Sequence, residues 1–174
     1  MAASLAVRNA SVRRGLVRFG VLERLAERIC DGEAVRDNVE ISVLFCDDDD
    51  ITALNRRYRR KNAPTDVLSF EQNGPGEAAG ARTLGDIVIS LETAERNCGG
   101  DRGLMKQEIA MLFCHGLLHL LGYDHGTRAE RTEMNRKQAR YLGTSEAEAW
   151  QFGPKTAAPR RIRTGGSRPL GRAK

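Results

Sequence analysis

The chain's three histidines, His115, His119 and His125, all fall within one short stretch, CHGLLHLLGYDH. Their spacing is H-x3-H-x5-H. On a helix the first two stand four residues apart and project from one face. Gly122 can take a left-handed conformation where that helix ends and turn the chain back, returning His125 to the same face. Three neutral imidazoles on one point suit Zn2+, one ion per chain, with the fourth coordination position left to water. That is the arrangement of catalytic rather than structural zinc. The opposing reading is three core histidines with satisfied hydrogen bonds on a buried helix.

The same spacing, with the glycine in register, resembles the H-E-x-x-H-x-x-G-x-x-H signature of the metzincin peptidases. The residue after the first histidine departs from it. Those peptidases carry a general-base glutamate there, and this chain carries Gly116. A glycine cannot take a proton from water, so a metzincin-like metallopeptidase is a lesser alternative.

A second group with chemical potential is the run Arg56, Arg57, Tyr58, Arg59, Arg60 and Lys61. Five cations and one aromatic can track an RNA backbone while Tyr58 stacks on a base. Arg59 can offer a planar, permanently charged fork to phosphate oxygens. The plainer reading is a solvated helix end, where cations meet the negative pole of the dipole. Acids near the histidines are candidates to orient them by accepting an imidazole N–H. Asp86 is preferred, Asp124 and Asp66 are the others, and Asp124 fits a turn equally well. Glu108, two helical turns before His115, shares its face. Cys114 projects about 100° away from His115 on a helix and is not expected as a ligand.

These residues need elements to hold them. Leu5–Val7 reads as a first strand, and residues 15–30 as a helix with Leu22, Leu25 and Ile29 on one face. Residues 40–46, EISVLFC, read as a buried strand. Asp47–Asp50 then open a helix, where acids cap free N–H groups. TDVLSF (65–70) and LGDIVIS (84–90) read as two more strands. The Gly-, Ala- and Pro-rich stretch Glu71–Thr83 reads as a long mobile loop. Ser90 can cap a helix through LETAERN. Residues 103–121 are apolar on nearly all sides, so that helix belongs at the centre of the domain. Thr127 and Glu130 form a capping box for a last helix, which Gly143 stops after Leu142.

Composition limits the classes available. The chain has 174 residues, 40% of them hydrophobic and 29% charged, which suits one globular domain. No apolar run is long enough for a membrane helix. Four cysteines without a CxxC pair suit reduced thiols. Seven of the 28 lysines and arginines, and none of the 23 acids, lie in residues 151–174. The nucleic-acid reading of the net charge of +5 therefore belongs first to the tail. Residues 1–148 are expected as the domain, and 149–174 as a basic, disordered tail. Arg8, Arg13, Arg14 and Arg18, with serines and no acid among them, also suit a mitochondrial transit signal. A cytoplasmic domain beginning at the first strand is preferred.

Beyond single residues, the sequence resembles the YbeY family of endoribonucleases and rRNA maturation factors. The resemblance rests on H115-G-L-L-H-L-L-G-Y-D-H125, L54-N-x-x-Y-R59, P64-T-D-V-L-S-F70 and L84-G-D-I-V-I-S90, over about residues 5–142. It implies an α+β single compact domain. A small mixed β-sheet of about four strands packs with about five helices, the central buried one carrying the histidines. It implies a zinc-dependent endoribonuclease that prefers single strands, acting in small-subunit rRNA 3′ end maturation and ribosome quality control. Its implied partners are single-stranded RNA and rRNA, the small ribosomal subunit and an assembly GTPase. By position, His115, His119 and His125 are then the metal ligands and Arg59 the key arginine, with His115 and Arg59 serving catalysis. The alternative from another class is a non-catalytic rRNA-binding assembly factor with a structural zinc.

Overall fold

The computed structural model of the chain describes residues 2–76 and 80–151. In chain order the elements are β1 (Ala3–Asn9), α1 (Phe19–Gly32), β2 (Asn38–Cys46), α2 (Asp48–Arg59), β3 (Val67–Pro75) and β4 (Ala81–Ser90). They continue with α3 (Leu91–Asn97), α4 (Arg102–Leu120), α5 (Arg128–Leu142) and α6 (Glu146–Gln151). The sheet order is β1-β2-β4-β3. β1, β2 and β4 run parallel, and β3 pairs antiparallel with β4 as an edge strand.

Strand alternation divides the apolar residues between two faces. Ile41, Val43 and Phe45 of β2 and Ile87 and Ile89 of β4 join Leu25 and Ile29 of α1 and Leu112, Phe113 and Leu117 of α4 in the main core. Cys46, Leu68 and Val88 point the other way, into a smaller cluster beneath Ile51 of α2. From Glu108 to Leu120 α4 is buried on nearly all sides, as its apolar composition requires. It lies so close to the sheet that a Cβ on Gly116 would stand 2.8 Å from Ile87 Cγ2 and 3.0 Å from Ser69 Oγ.

Several local expectations are met. Ser90 accepts from the Thr93 N–H at the start of α3, and Thr127 with Glu130 forms the full capping box of α5. Others need correcting. Asp47 occupies the N-cap of α2 but its carboxylate does not cap that helix. It accepts from Ser11 Oγ (2.6 Å), the Val12 N–H (3.1 Å) and Arg13 (2.9 Å). Asp48 accepts from Ser90 Oγ (2.7 Å), Thr93 Oγ1 (2.6 Å) and Arg96 (2.8 Å). The acids thus tie the β1–α1 connection and α3 to the start of α2. Burial pushes both carboxyls up, and these donors outweigh it, holding each below the ordinary carboxylate range.

The stretch expected as a long loop, Glu71–Thr83, is mostly strand. β3 extends to Pro75 and β4 begins at Ala81. An edge strand tolerates a proline that a central one would not. A short sixth helix, α6, follows the expected last one, opened by a second reciprocal cap between Ser145 and Glu148. The tail expected at 149–174 starts later than that, since residues 149–151 belong to α6 and Ala149 is buried; the rest of it, from residue 152, lies outside the described residues. Among the described residues, no helix is long and apolar enough to cross a membrane.

Candidate metal centre

The end of α4 builds the site. The Gly122 N–H donates to the His119 carbonyl (2.9 Å) and the Tyr123 N–H to the Leu118 carbonyl (3.0 Å). That pair of bonds is a Schellman turn, and it needs the positive φ of +91° that Gly122 supplies. The chain reverses, and the His125 ring comes to rest 5.3 Å from the His115 ring and 5.0 Å from the His119 ring, centroid to centroid.

His115 Nε2 and His119 Nε2 are 3.1 Å apart. One ligand nitrogen from each of the three rings lies within 4.8 Å of the others. A tetrahedral zinc at 2.0–2.1 Å from each nitrogen sets neighbouring ligands about 3.3 Å apart, so this donor set fits that ion. Two facing nitrogens alone would fit a hydrogen bond equally well. The third ring converging on them is what a cation explains. Among the described residues the ligand group consists of these three histidines. Cys114 is fully buried in the main core, away from it.

The sequence reading missed the residue that orients His115, the first candidate ligand. Gln138 of α5, 1% exposed, places Oε1 2.7 Å from His115 Nδ1. An amide oxygen only accepts, so the imidazole proton sits on Nδ1 and Nε2 keeps its lone pair for a metal. Burial, with His119 adding to it, pushes His115 down to about 3, so the ring is neutral at physiological pH. Burial and the nearby His125 also lower His119. Neutral rings are the form that binds metal.

Around the histidines is a cavity of about 230 Å3 that also takes in Arg59, Thr65, Asp66, Ser69 and Asp124. Arg59, at the last position of α2, thus shares the pocket with the three rings. The other members of the basic run do not line it. Arg56, Arg57, Arg60 and Lys61 are exposed. Tyr58 turns edge-on to Phe70, 4.9 Å between centroids, in a separate groove on the opposite face of the sheet.

The acids are placed differently from the order expected. Asp86 lies in that opposite groove and accepts from Gln72 Nε2, so it orients no histidine. Its neighbour Ile87 faces α4, and strand alternation sends Asp86 away. Asp124 accepts the His125 backbone N–H at 2.7 Å, a turn role, and that bond holds its carboxyl below the usual range. Asp66, ranked below Asp86, is the buried acid of the metal pocket. Burial raises its carboxyl despite the Val67 N–H that it accepts. Glu108 is buried near Asn97 and outside the ligand group.

Residues 18–146 match the family model for endoribonuclease YbeY. The chain belongs to this family. An endoribonuclease YbeY of Pelotomaculum thermopropionicum is 46% identical over 127 residues, covering 71% of this chain and 84% of that protein. Those of Bacillus subtilis (42% over 128 residues, 70% and 82%) and Aquifex aeolicus (39% over 131 residues, 75% and 85%) are also similar.

Against that membership the segment L54-N-x-x-Y-R59 has a physical division of work. Asn55, 4% exposed, donates from Nδ2 to the Ala63 carbonyl (2.8 Å) and accepts the Lys61 N–H on its own carbonyl (3.3 Å). It folds the chain after α2 back so that Thr65 and Asp66 enter the pocket beside Arg59. The sequence signal for it was an asparagine on the buried face of an otherwise polar helix.

Proposed function

We propose that this chain is a zinc-dependent endoribonuclease that cuts single-stranded RNA during rRNA maturation. The observation that carries the proposal is the convergence of three imidazoles in one pocket with Arg59. His115, His119 and His125 would hold the ion. Zinc in such a site supplies a Lewis acid for a phosphoryl oxygen and brings the pKa of water down to about 7. Gln138 keeps His115 in the ligating tautomer. Arg59 binds the non-bridging oxygens of the scissile phosphate and offsets charge that grows on them. Asp66, whose carboxyl burial pushes up, is the buried acid lining the same pocket.

Two other readings fare worse. A peptidase base has no room at position 116, because that site presses on Ile87 and Ser69. A structural zinc wants four protein ligands, and the described group has three. The family resemblance supports work in the cytoplasm on the small ribosomal subunit with an assembly GTPase, in 3′ end maturation and quality control.

The test combines metal analysis with cleavage of single- and double-stranded RNA by the wild type, His115→Ala and Arg59→Glu. About one zinc per chain and cleavage of single strands by the wild type alone are expected. Product ends separate two nucleophiles, since a 2′,3′-cyclic phosphate marks attack by the ribose hydroxyl and its absence marks water. Undiminished cleavage by purified His115→Ala would overturn the proposal.

A further inference from the structure

Glu33, just past α1, carries a carboxylate that collects donors from two distant parts of the chain. Lys137 Nζ lies 2.8 and 2.9 Å from its two oxygens, and the hydroxyls of Tyr123 and Tyr141 both donate to it. The Lys137 ammonium also stands over the Tyr123 ring, 5.0 Å from its centroid. The Glu33 and Lys137 side chains are 9% and 15% exposed. Burial pushes the Glu33 carboxyl up, but the bonds from Lys137 and the two phenols outweigh it, so it stays ionised. Gly32 makes room for this arrangement. A Cβ there would come within 2.7 Å of Tyr141 Cε1.

The donors belong to the two parts that complete the metal centre. Tyr123 sits two residues before His125, in the turn that returns it. Lys137 directly precedes Gln138, the partner of His115, and Tyr141 is one turn further along α5. Other hydrogen bonds made by residues 121–127 stay within the end of α4, the turn itself and the start of α5. Among the described residues, the Tyr123 phenol is their hydrogen-bonded tie to a distant segment.

We propose that Glu33 is a positioning residue for the metal centre, locking the turn that carries His125 and the face of α5 that carries Gln138 to one anchor. The role rests on the metal reading of the histidines, although the tie itself does not. An untethered turn would have to order as the ion binds, and that ordering subtracts from affinity. Partners beyond the ligands are typically worth 10–100-fold in metal affinity, and for this indirect one about tenfold is expected.

The test uses the full chain as wild type, Tyr123→Phe and Tyr141→Phe. Amide hydrogen exchange is measured without metal, and zinc affinity by competition with a chromophoric chelator. In Tyr123→Phe, exchange in 121–127 should rise about tenfold and the zinc Kd about tenfold, with exchange in α4 unchanged. Tyr141→Phe should speed exchange near the end of α5 while leaving the zinc Kd within about twofold, because Lys137 still holds the Gln138 face to Glu33. Unchanged exchange in 121–127 of Tyr123→Phe, or a rise shared by α4, overturns the tether. An unchanged zinc Kd beside faster exchange overturns the positioning role. A wild type that takes up no zinc overturns the metal reading, and the positioning role falls with it.

Discussion

Replacing Gln138 with leucine would remove the acceptor of His115 Nδ1 without opening a large cavity. Both residues are buried, at 1% and 5% exposure, so no bulk water replaces the lost oxygen. A buried donor left unpaired costs about 1–3 kcal/mol, which sets the expected loss of fold stability. The effect on metal binding is separate. With Nδ1 unpartnered, the ring proton can move to Nε2 and donate to His119 Nε2, 3.1 Å away. That tautomer presents no lone pair to a metal. Restoring the ligating form should weaken zinc binding about 10–100-fold, or about 1.4–2.8 kcal/mol. Chelator competition measures it, with Gln138→Glu as control, since a carboxylate restores the acceptor and should hold the Kd within about threefold or tighten it. A folded Gln138→Leu protein that binds zinc within about twofold of wild type would refute the reasoning.

Gly116→Ala should destabilise the fold by about 1–2 kcal/mol in urea, because the cost of overpacking exceeds the helix-propensity gain; increased stability would mean that α4 does not press on β3 and β4 as described. Asp47 and Asp48 both ionise below the usual carboxylate value of 3.8 in the folded chain. Their contribution is therefore present above about pH 4 and is lost as pH falls through the lower folded values. Asp48→Asn should cost about 2 kcal/mol at pH 7, with the gap to wild type closing in acid; a gap that stays constant down to pH 2 would contradict that charge assignment.

Much of the candidate site's geometry was legible because it is local. The i, i+4 histidines and the glycine seven residues after the first fix a helix face and a reversal, and the backbone carries the rest. Choosing among the acids was harder. In LGDIVIS, residues on both faces are apolar because Val88 is covered by α2 and Ile87 by α4. Such a strand shows no alternation from which the side of Asp86 can be read. Gln138 left a fainter signal. Met134, Gln138 and Tyr141 are buried at helical spacing on α5, so a glutamine on an apolar stripe marked a buried partner. Its partner lies 23 residues away, and sequence spacing alone does not connect them. Glu33 reaches over 90 residues to Tyr123, farther still. The strand through Pro75 was hidden by composition, since glycine and proline signal a loop unless the strand is known to be an edge.

The most direct test of the account strips metal from the wild type and from His119→Ala, then adds zinc stepwise while following cleavage of a single-stranded RNA. Wild-type activity should vanish on stripping and return in full at about one equivalent of zinc per chain, while His119→Ala stays inactive throughout. Full cleavage by the stripped wild type, or equal recovery by His119→Ala, would contradict the claim that the three histidines hold the metal on which RNA cleavage depends.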